Sequence, residues 1–492
     1  MPGIREVATG DPQRARISSR QSALLLLLTI AGAWLRLSHL GAKSLWLDEG
    51  ATVALIRAPW QHFAWIWWHG EANLQTIYFL LMRGWIHFGD SETWLRLPSV
   101  LFGIAAIPLF YGVARKFMGV EPALAAAALL AFSPSHIYYS QEARGYTLAI
   151  LMVLLSTYFF VRAVEQCQRR DWARWMWVSI LAFYCHDFTA LVLVAQACSL
   201  LFQADPKRWR PLLIRGTVVF VLALPGLTYV FRASPENLHF IWMPQPSVRE
   251  FWHLAGFFGG NGVKVAVAGI LWAAGVVAIW QSRRSSGDRD AFWRGMLIVL
   301  WALLPVAILA LISEWEPLFL QRYLIFSLPA TLLLAAVGTQ PLRRARIGLL
   351  LVVLLCGMSI PAIVGDYQKP REDWRGASNT ILAGATPGDG VVFFPFYSRI
   401  MLDYYRDRYG VSVPLHVFAP QYYAGGEDAR NLLKTLDSGP GQLRHVWVVV
   451  ADERTTIDDF EYGPAVTEKL KAIYGEPAVR KFADVEVLEY GR

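Results

Sequence analysis

The sequence predicts an α-helical protein that crosses a membrane about eleven times and ends in a small α/β domain. Three observations carry that expectation. Apolar stretches of roughly 17 to 22 residues recur along the first three quarters of the chain, long enough to cross a hydrocarbon core. Of the 492 residues, 55% are hydrophobic and only 17% are charged, against about 25% charged in soluble proteins. After Asp366 the long apolar runs stop and charged residues become frequent. The net charge of +8 does not call for nucleic acid, because the basic residues fall in short clusters between apolar stretches, the mark of cytoplasmic loops.

Those clusters set the threading. Arg5, Arg14, Arg16 and Arg20 precede the first span, Ser22 to Leu40, which starts in the cytoplasm. No small-residue cleavage site follows it, so it reads as an uncleaved helix. The next basic cluster, Arg115-Lys116, makes Leu97 to Ala114 run inward and leaves Gly41 to Arg96 outside. Within that loop Thr52 to His69 is amphipathic and carries Trp60, Trp65, Trp67 and Trp68, as an interfacial segment does. Leu74 to Phe88 is apolar but short, and it contains Arg83 and His87; it reads as re-entrant or interfacial.

The alternation continues with Ala123 to Tyr138 and Tyr146 to Val164, which returns to Arg169, Arg170 and Arg174. Trp175 to His186 goes out, and Thr189 to Phe202 returns to Lys207, Arg208 and Arg210. Leu212 to Phe231 leads to an outer loop lasting until about Gly262, and Val263 to Trp280 returns to Arg283 and Arg284. Met296 to Ile312, Tyr323 to Val337 (ending at Arg343, Arg344 and Arg346) and Gly348 to Val364 complete the set. Two domains follow, residues 1–365 in the membrane and 366–492 outside it. In the second, Gly390 to Pro395, Pro414 to Phe418 and Val446 to Ala451 read as strands; Ser398 to Tyr409, Ala429 to Leu436 and Ala465 to Tyr474 read as helices. Cys167, Cys185, Cys198 and Cys356 lie in or beside apolar segments with neither zinc nor disulfide spacing.

This threading gathers polar residues on the outer face. Asp48, Glu49, Glu71 and Asn73 lie in the first outer loop, and Gln141, Glu142, Arg144 and Tyr146 in the next turn. His186 and Asp187 follow the fifth span, and Arg322 and Tyr323 open the tenth. Each has a plainer role: an Arg snorkels, a Tyr sits in the aromatic belt, Glu142 pairs with Arg144, and Asp187 caps His186. Few acids fall on the inner side, so the joint placement argues for a site.

Three blocks carry a resemblance. They are Trp46-Leu47-Asp48-Glu49-Gly50, then Phe88-Gly89-Asp90-Ser91-Glu92 with Leu95-Arg96-Leu97-Pro98-Ser99 and Ser133 through Tyr146, and finally Gln321-Arg322-Tyr323-Leu324 with Leu328-Pro329. In this order, over roughly residues 20 to 380, the chain resembles the membrane glycosyltransferases of the GT-C fold. The likeness is to glycosyltransferase family 39, the protein O-mannosyltransferases, and to the lipid A aminoarabinose transferases. Such enzymes often have a His-Pro-Pro-Leu-Tyr-Tyr stretch in the first outer loop. Here that region reads Glu71-Ala72-Asn73-Leu74-Gln75-Thr76-Ile77-Tyr78, without the His and without either Pro.

The resemblance implies an inverting transfer of a sugar from a polyprenyl-phosphate donor to a lipid, glycan or protein hydroxyl, on the extracytoplasmic side of the inner (cytoplasmic) membrane. Asp48, beside Glu49, matches the acidic position and takes the acceptor's proton. Arg144 and Arg322, with Tyr146 and Tyr323, match the grip on the leaving phosphate. Glu71, Asn73, Gln141, Glu142, His186 and Asp187 fall in the substrate-binding set, and a divalent metal, with Glu71, Glu142 or His186 as ligands, can share the charge. The competing reading is a transporter or flippase of lipid-linked sugars, for which internal repeats and spans broken at the midplane are the expected signs. A bare membrane anchor for the terminal domain needs neither eleven spans nor an acidic first loop.

Overall fold

A computed structural model describes residues 18–69, 75–203, 205–232, 244–285, 289–341, 347–419, 429–438, 443–451 and 463–491. The chain is a multi-pass membrane protein. Seven described helices are long and apolar enough to cross a bilayer; the count is eight if Val120–Ala131 and Pro134–Ser140, which meet at 55°, form one span. The other three expected spans are also helical. Ser19–Leu37 carries Arg20 and Arg36, Arg169–Cys185 opens with a charged turn, and the stretch from Asp187 to Phe202 is an α-helix flanked by two 3-10 turns. Charge and brevity keep these three below the apolarity of an isolated span.

The chain divides into two compact units. The first comprises residues 18–38, 67–69, 75–78 and 97–366, within the described residues, and the second comprises His39–Ile66, Phe79–Arg96 and the chain from Tyr367 onward.

In the first unit the break between Val120–Ala131 and Pro134–Ser140 has a chemical cause. Pro134 starts the second helix, with the Ser133 hydroxyl accepting from the His136 N–H. At the end of the first helix Arg36, fully buried, donates to Leu130 O at 3.1 Å and Ala131 O at 3.0 Å, adding a side-chain donor to the last turn's carbonyls. A guanidinium at the negative end of a helix dipole is favourable. Arg36 also donates to Gly32 O and to His136 Nδ1, each at 2.8 Å.

The amphipathic segment Thr52 to His69 falls in two helices, Leu47–Arg57 and Trp60–His69, separated at Ala58-Pro59, where the proline restricts the residue before it. The loop expected up to Gly262 contains the helix Val248–Gly259, N-capped by Ser247. The segment expected to be re-entrant or interfacial is the ten-residue helix Thr76–Trp85 with a 3-10 turn; about 15 Å of rise is too short to span.

The second unit is built on a five-stranded sheet of β1 (Gly390–Phe394), β2 (His416–Phe418), β3 (His445–Ala451), β4 (Ala478–Phe482) and β5 (Val485–Gly491), in the order β2-β1-β3-β5-β4. β1 runs parallel to β2 and β3, while β5 runs antiparallel to β3 and β4. The three expected strands and three expected helices are present. The β4–β5 hairpin and the helix Trp374–Gly384 were not anticipated, because the exposed, charged residues of β4 hide its pattern. Val392, Phe394, Val446, Val448, Leu432 and Leu470 form the core.

Candidate active site

In the first unit the site is built on the turn Gln141–Gly145, between the helices Pro134–Ser140 and Tyr146–Gln166. Side chains from three other segments fix its backbone. The Gln141 amide donates to Arg36 O at 3.0 Å and Ser38 O at 2.7 Å. The Ser99 hydroxyl donates to Arg144 O at 3.0 Å and lies 2.9 Å from the Tyr78 hydroxyl. Gly145 N–H donates to Gln75 Oε1 at 2.8 Å. With its side-chain amide spent on two backbone carbonyls, Gln141 serves to hold the turn. The turn in turn presents Glu142, fully buried, and Arg144, half-buried.

Aromatic rings wall the same place. His186, 1% exposed, has its ring 5.5 Å from Tyr146, 6.1 Å from Tyr323 and 5.0 Å from Phe326. Phe188 stacks on Tyr323 at 4.5 Å. Tyr139 stands edge-on to Tyr146 at 4.8 Å, and the charges of both Glu142 and Arg322 act on its hydroxyl. Arg322 also lies over the Tyr323 ring. His186 Nδ1 is 3.1 Å from Asp187 Oδ1. So segments beginning at 139, 186 and 321 place an acid, three tyrosines, a histidine and an arginine together in this unit.

In the second unit the acidic pair divides. Glu49 is fully buried, and Arg96 grips both its oxygens, at 2.8 and 2.6 Å. The remaining Arg96 donors reach Leu40 O, Lys43 O and Ser44 O, so all five guanidinium N–H groups are satisfied. Glu49 Oε2 also accepts the Trp46 N–H, capping the helix Leu47–Arg57. Asp48, one residue earlier in the same helix, is partly exposed. Gly50 completes the motif because a side chain there would strike Met401.

The loop before the pair is tied down from the C-terminal segment too. Arg375 donates to Gly41 O, Lys43 O and Glu92, and its N–H donates to the Ser44 hydroxyl at 3.1 Å. Glu92 also binds Arg408 and accepts from Tyr405 at 3.3 Å. Burial raises the Tyr405 phenol above its ordinary value, so it stays a neutral donor. Asp90 pairs with Arg57 at 2.7 Å.

Against known proteins, residues 77–229 match the family described as dolichyl-phosphate-mannose-protein mannosyltransferase. The chain matches no curated protein by sequence. Among solved structures it is similar to ArnT from Cupriavidus metallidurans in the apo state, with a TM-score of 0.64 and 16% identity over 96% of this chain and 98% of that one. The same protein bound to undecaprenyl phosphate gives a TM-score of 0.59 and 14% identity at the same coverage. The oligosaccharyltransferase of Archaeoglobus fulgidus, in complex with Zn and sulfate, gives 0.55 and 13% identity over 87% of this chain and 68% of that one. This chain has the GT-C fold.

On that GT-C fold the predicted residues fall in two groups. Glu142, Arg144, Tyr146, His186, Asp187, Arg322 and Tyr323 belong to the first unit, Asp48 and Glu49 to the second. Glu71 and Asn73 lie outside the described residues. Among the described residues no group of three or more His, Cys, Asp or Glu side chains is arranged to hold a metal ion. The residues that sequence reasoning passed over are the supports: Arg36, Gln75, Tyr78, Arg375, Tyr405 and Arg408. Arg36, inside an apolar helix, gave the one usable signal, since a buried arginine in a span calls for partners. Arg375 and Arg408 gave none, being ordinary basic residues of a charged segment.

Proposed function

We propose that this protein transfers a sugar from a polyprenyl-phosphate donor to an acceptor hydroxyl at the extracytoplasmic surface of the inner membrane, with inversion at the anomeric carbon. The observation that carries the reading is the division of the acidic pair. Glu49 is locked onto Arg96, and Asp48 keeps a partly exposed carboxylate on a rigid helix end. A partly exposed carboxylate can accept a proton, while Glu49 acts by holding the helix that carries it. Asp48 takes the acceptor hydroxyl's proton as the oxygen attacks. The anomeric carbon–oxygen bond to the donor phosphate breaks, and the leaving phosphate carries off the bonding pair. Arg144 and Arg322 stabilise that charge, with Tyr146 and Tyr323 as hydroxyl donors. Direct attack by the acceptor, without a covalent sugar intermediate, inverts the centre.

The likeness of fold to a structure bound to undecaprenyl phosphate supports a lipid-phosphate donor. A lipid, glycan or protein hydroxyl is the acceptor, and the sugar is a hexose or a pentose. A divalent ion, with Glu71, Glu142 or His186 as a ligand, would be a second way to neutralise the leaving phosphate. Loss of transfer on chelation, and recovery on adding the ion back, tests it. The decisive assay uses purified protein with labelled polyprenyl-phosphate sugar. Polyprenyl phosphate is released only when acceptor is present, and Asp48→Asn abolishes that release with the fold intact. Full activity in Asp48→Asn removes Asp48 as the base, and release without acceptor removes the transferase reading.

A further inference from the structure

Arg36 and His136 make a contact that the transfer chemistry does not use directly. Both are fully buried in the first unit, on the helices Ser19–Leu37 and Pro134–Ser140. An arginine inside a span is costly, and its donors seek backbone carbonyls or polar partners. Here the guanidinium donates to His136 Nδ1 at 2.8 Å, besides the carbonyls of Gly32, Leu130 and Ala131. A guanidinium has donors only and keeps its charge. His136 Nδ1 is therefore the acceptor, which puts the proton on Nε2 and makes the ring a neutral imidazole.

The pair closes a ring of contacts. From His136 the short helix runs to Ser140, whose hydroxyl donates back to His136 O at 2.6 Å. Gln141 follows, and its amide returns to Arg36 O at 3.0 Å and Ser38 O at 2.7 Å. Arg36 thus holds this helix twice, by its side chain near the start and by its backbone just past the end. The two ties are about 7.5 Å apart along the helix axis. One tie would leave a pivot; two at that separation fix the tilt as well as the position. Gly103, on the helix Glu92–Ala114, lets the ring sit close, since a Cβ there would meet Ser140 Cβ at 3.0 Å and Arg36 Nε at 3.3 Å. Glu142 and Arg144 follow directly after the second tie.

We propose that Arg36 and His136 are positioning residues for sugar transfer. The neutral imidazole clamps the helix Pro134–Ser140 to the first span, and the clamp sets the aim of Glu142 and Arg144. Its catalytic purpose rests on the transferase reading; the clamp itself does not.

The test uses full-length purified protein and compares His136→Asn with His136→Leu. The Asn side-chain oxygen stands near the place of Nδ1 and can accept from Arg36, whereas Leu accepts nothing. Transfer from labelled polyprenyl-phosphate sugar is expressed per folded molecule, and hydrogen exchange of residues 137–146 is followed by mass spectrometry. His136→Leu should lower kcat about 10²-fold, the scale of a misplacement of about 1 Å, with donor KM changed less than about threefold. It should also speed exchange in that segment about tenfold, while His136→Asn keeps both readouts near the parental values. A histidine with a structural role alone would lower the yield of folded protein and leave kcat per folded molecule unchanged. That result overturns the proposal, as do equal losses in the Asn and Leu variants or unchanged exchange in His136→Leu. Should His136→Leu fail to fold, Arg36→Lys keeps the charge, loses the fork and should show the same split between kcat and KM. If the unmodified protein transfers no sugar, the transferase reading falls, and the exchange contrast between Asn and Leu still decides whether the clamp exists.

Discussion

Removing the Glu49 carboxylate should unfold the second unit more readily than removing its neighbour Asp48, although the two are adjacent and chemically alike. Glu49→Ala strands the Arg96 guanidinium at 1% exposure. Breaking one partner from a buried pair ordinarily costs about 3–5 kcal/mol, because the remaining charge is uncompensated. Arg96 keeps three carbonyl acceptors, at Leu40, Lys43 and Ser44, which puts the expected loss near the lower end, about 3 kcal/mol. At about 2–4 °C per kcal/mol for a unit of this size, the midpoint falls by roughly 6–12 °C. Asp48→Asn replaces a partly exposed carboxylate with an amide of the same shape, and the interaction of its charge with the helix's first turn is worth about 0.3–1 kcal/mol. The assay is thermal unfolding of purified protein followed by tryptophan fluorescence, with transfer measured in parallel at a temperature where both variants are folded. Asp48→Asn should lose transfer and keep its midpoint, and Glu49→Ala should lose midpoint first. Equal midpoint losses in the two variants would refute the division of roles. So would a Glu49→Ala protein as stable as the parent.

Three further outcomes follow from the same geometry. Arg144→Gln and Arg322→Gln should each lower kcat by about 10²–10³, as loss of one donor to a developing anion does, with little change in the unfolding midpoint. Gln75→Leu leaves the buried Gly145 N–H without its acceptor; it should cost about 1–3 kcal/mol in chemical denaturation and lower transfer through misplacement of Glu142 and Arg144. Burial raises the Asp403 carboxyl above its ordinary value of 3.8, against the opposing pull of Arg399 and Arg406. A raised folded value means this group's stabilising contribution is full below 3.8 and is lost as pH rises through the folded value. Asp403→Asn should therefore flatten the pH dependence of the unfolding midpoint across that window, and an unchanged slope would contradict it.

The helical spans and the terminal α/β segment were legible in the residue order, because a bilayer imposes length and apolarity on every span. Basic clusters and strand-sized apolar runs needed no partner to be recognised. The motif blocks also stood out, and they pointed to Asp48, Glu142, Arg144 and Arg322. What the order of residues left undecided was which of two neighbouring carboxylates is buried. That depends on Arg96, 47 positions away, arriving with a full set of donors, and a one-dimensional pattern holds no trace of it. The same holds for the ties of Arg375, Arg408 and Tyr405 to the early loop, which join His39–Ile66 and Phe79–Arg96 to the C-terminal segment as one unit. Hydrophobic period is a local property and survives in sequence. The pairing of buried charges is set by distance in space, and only the folded chain fixes it.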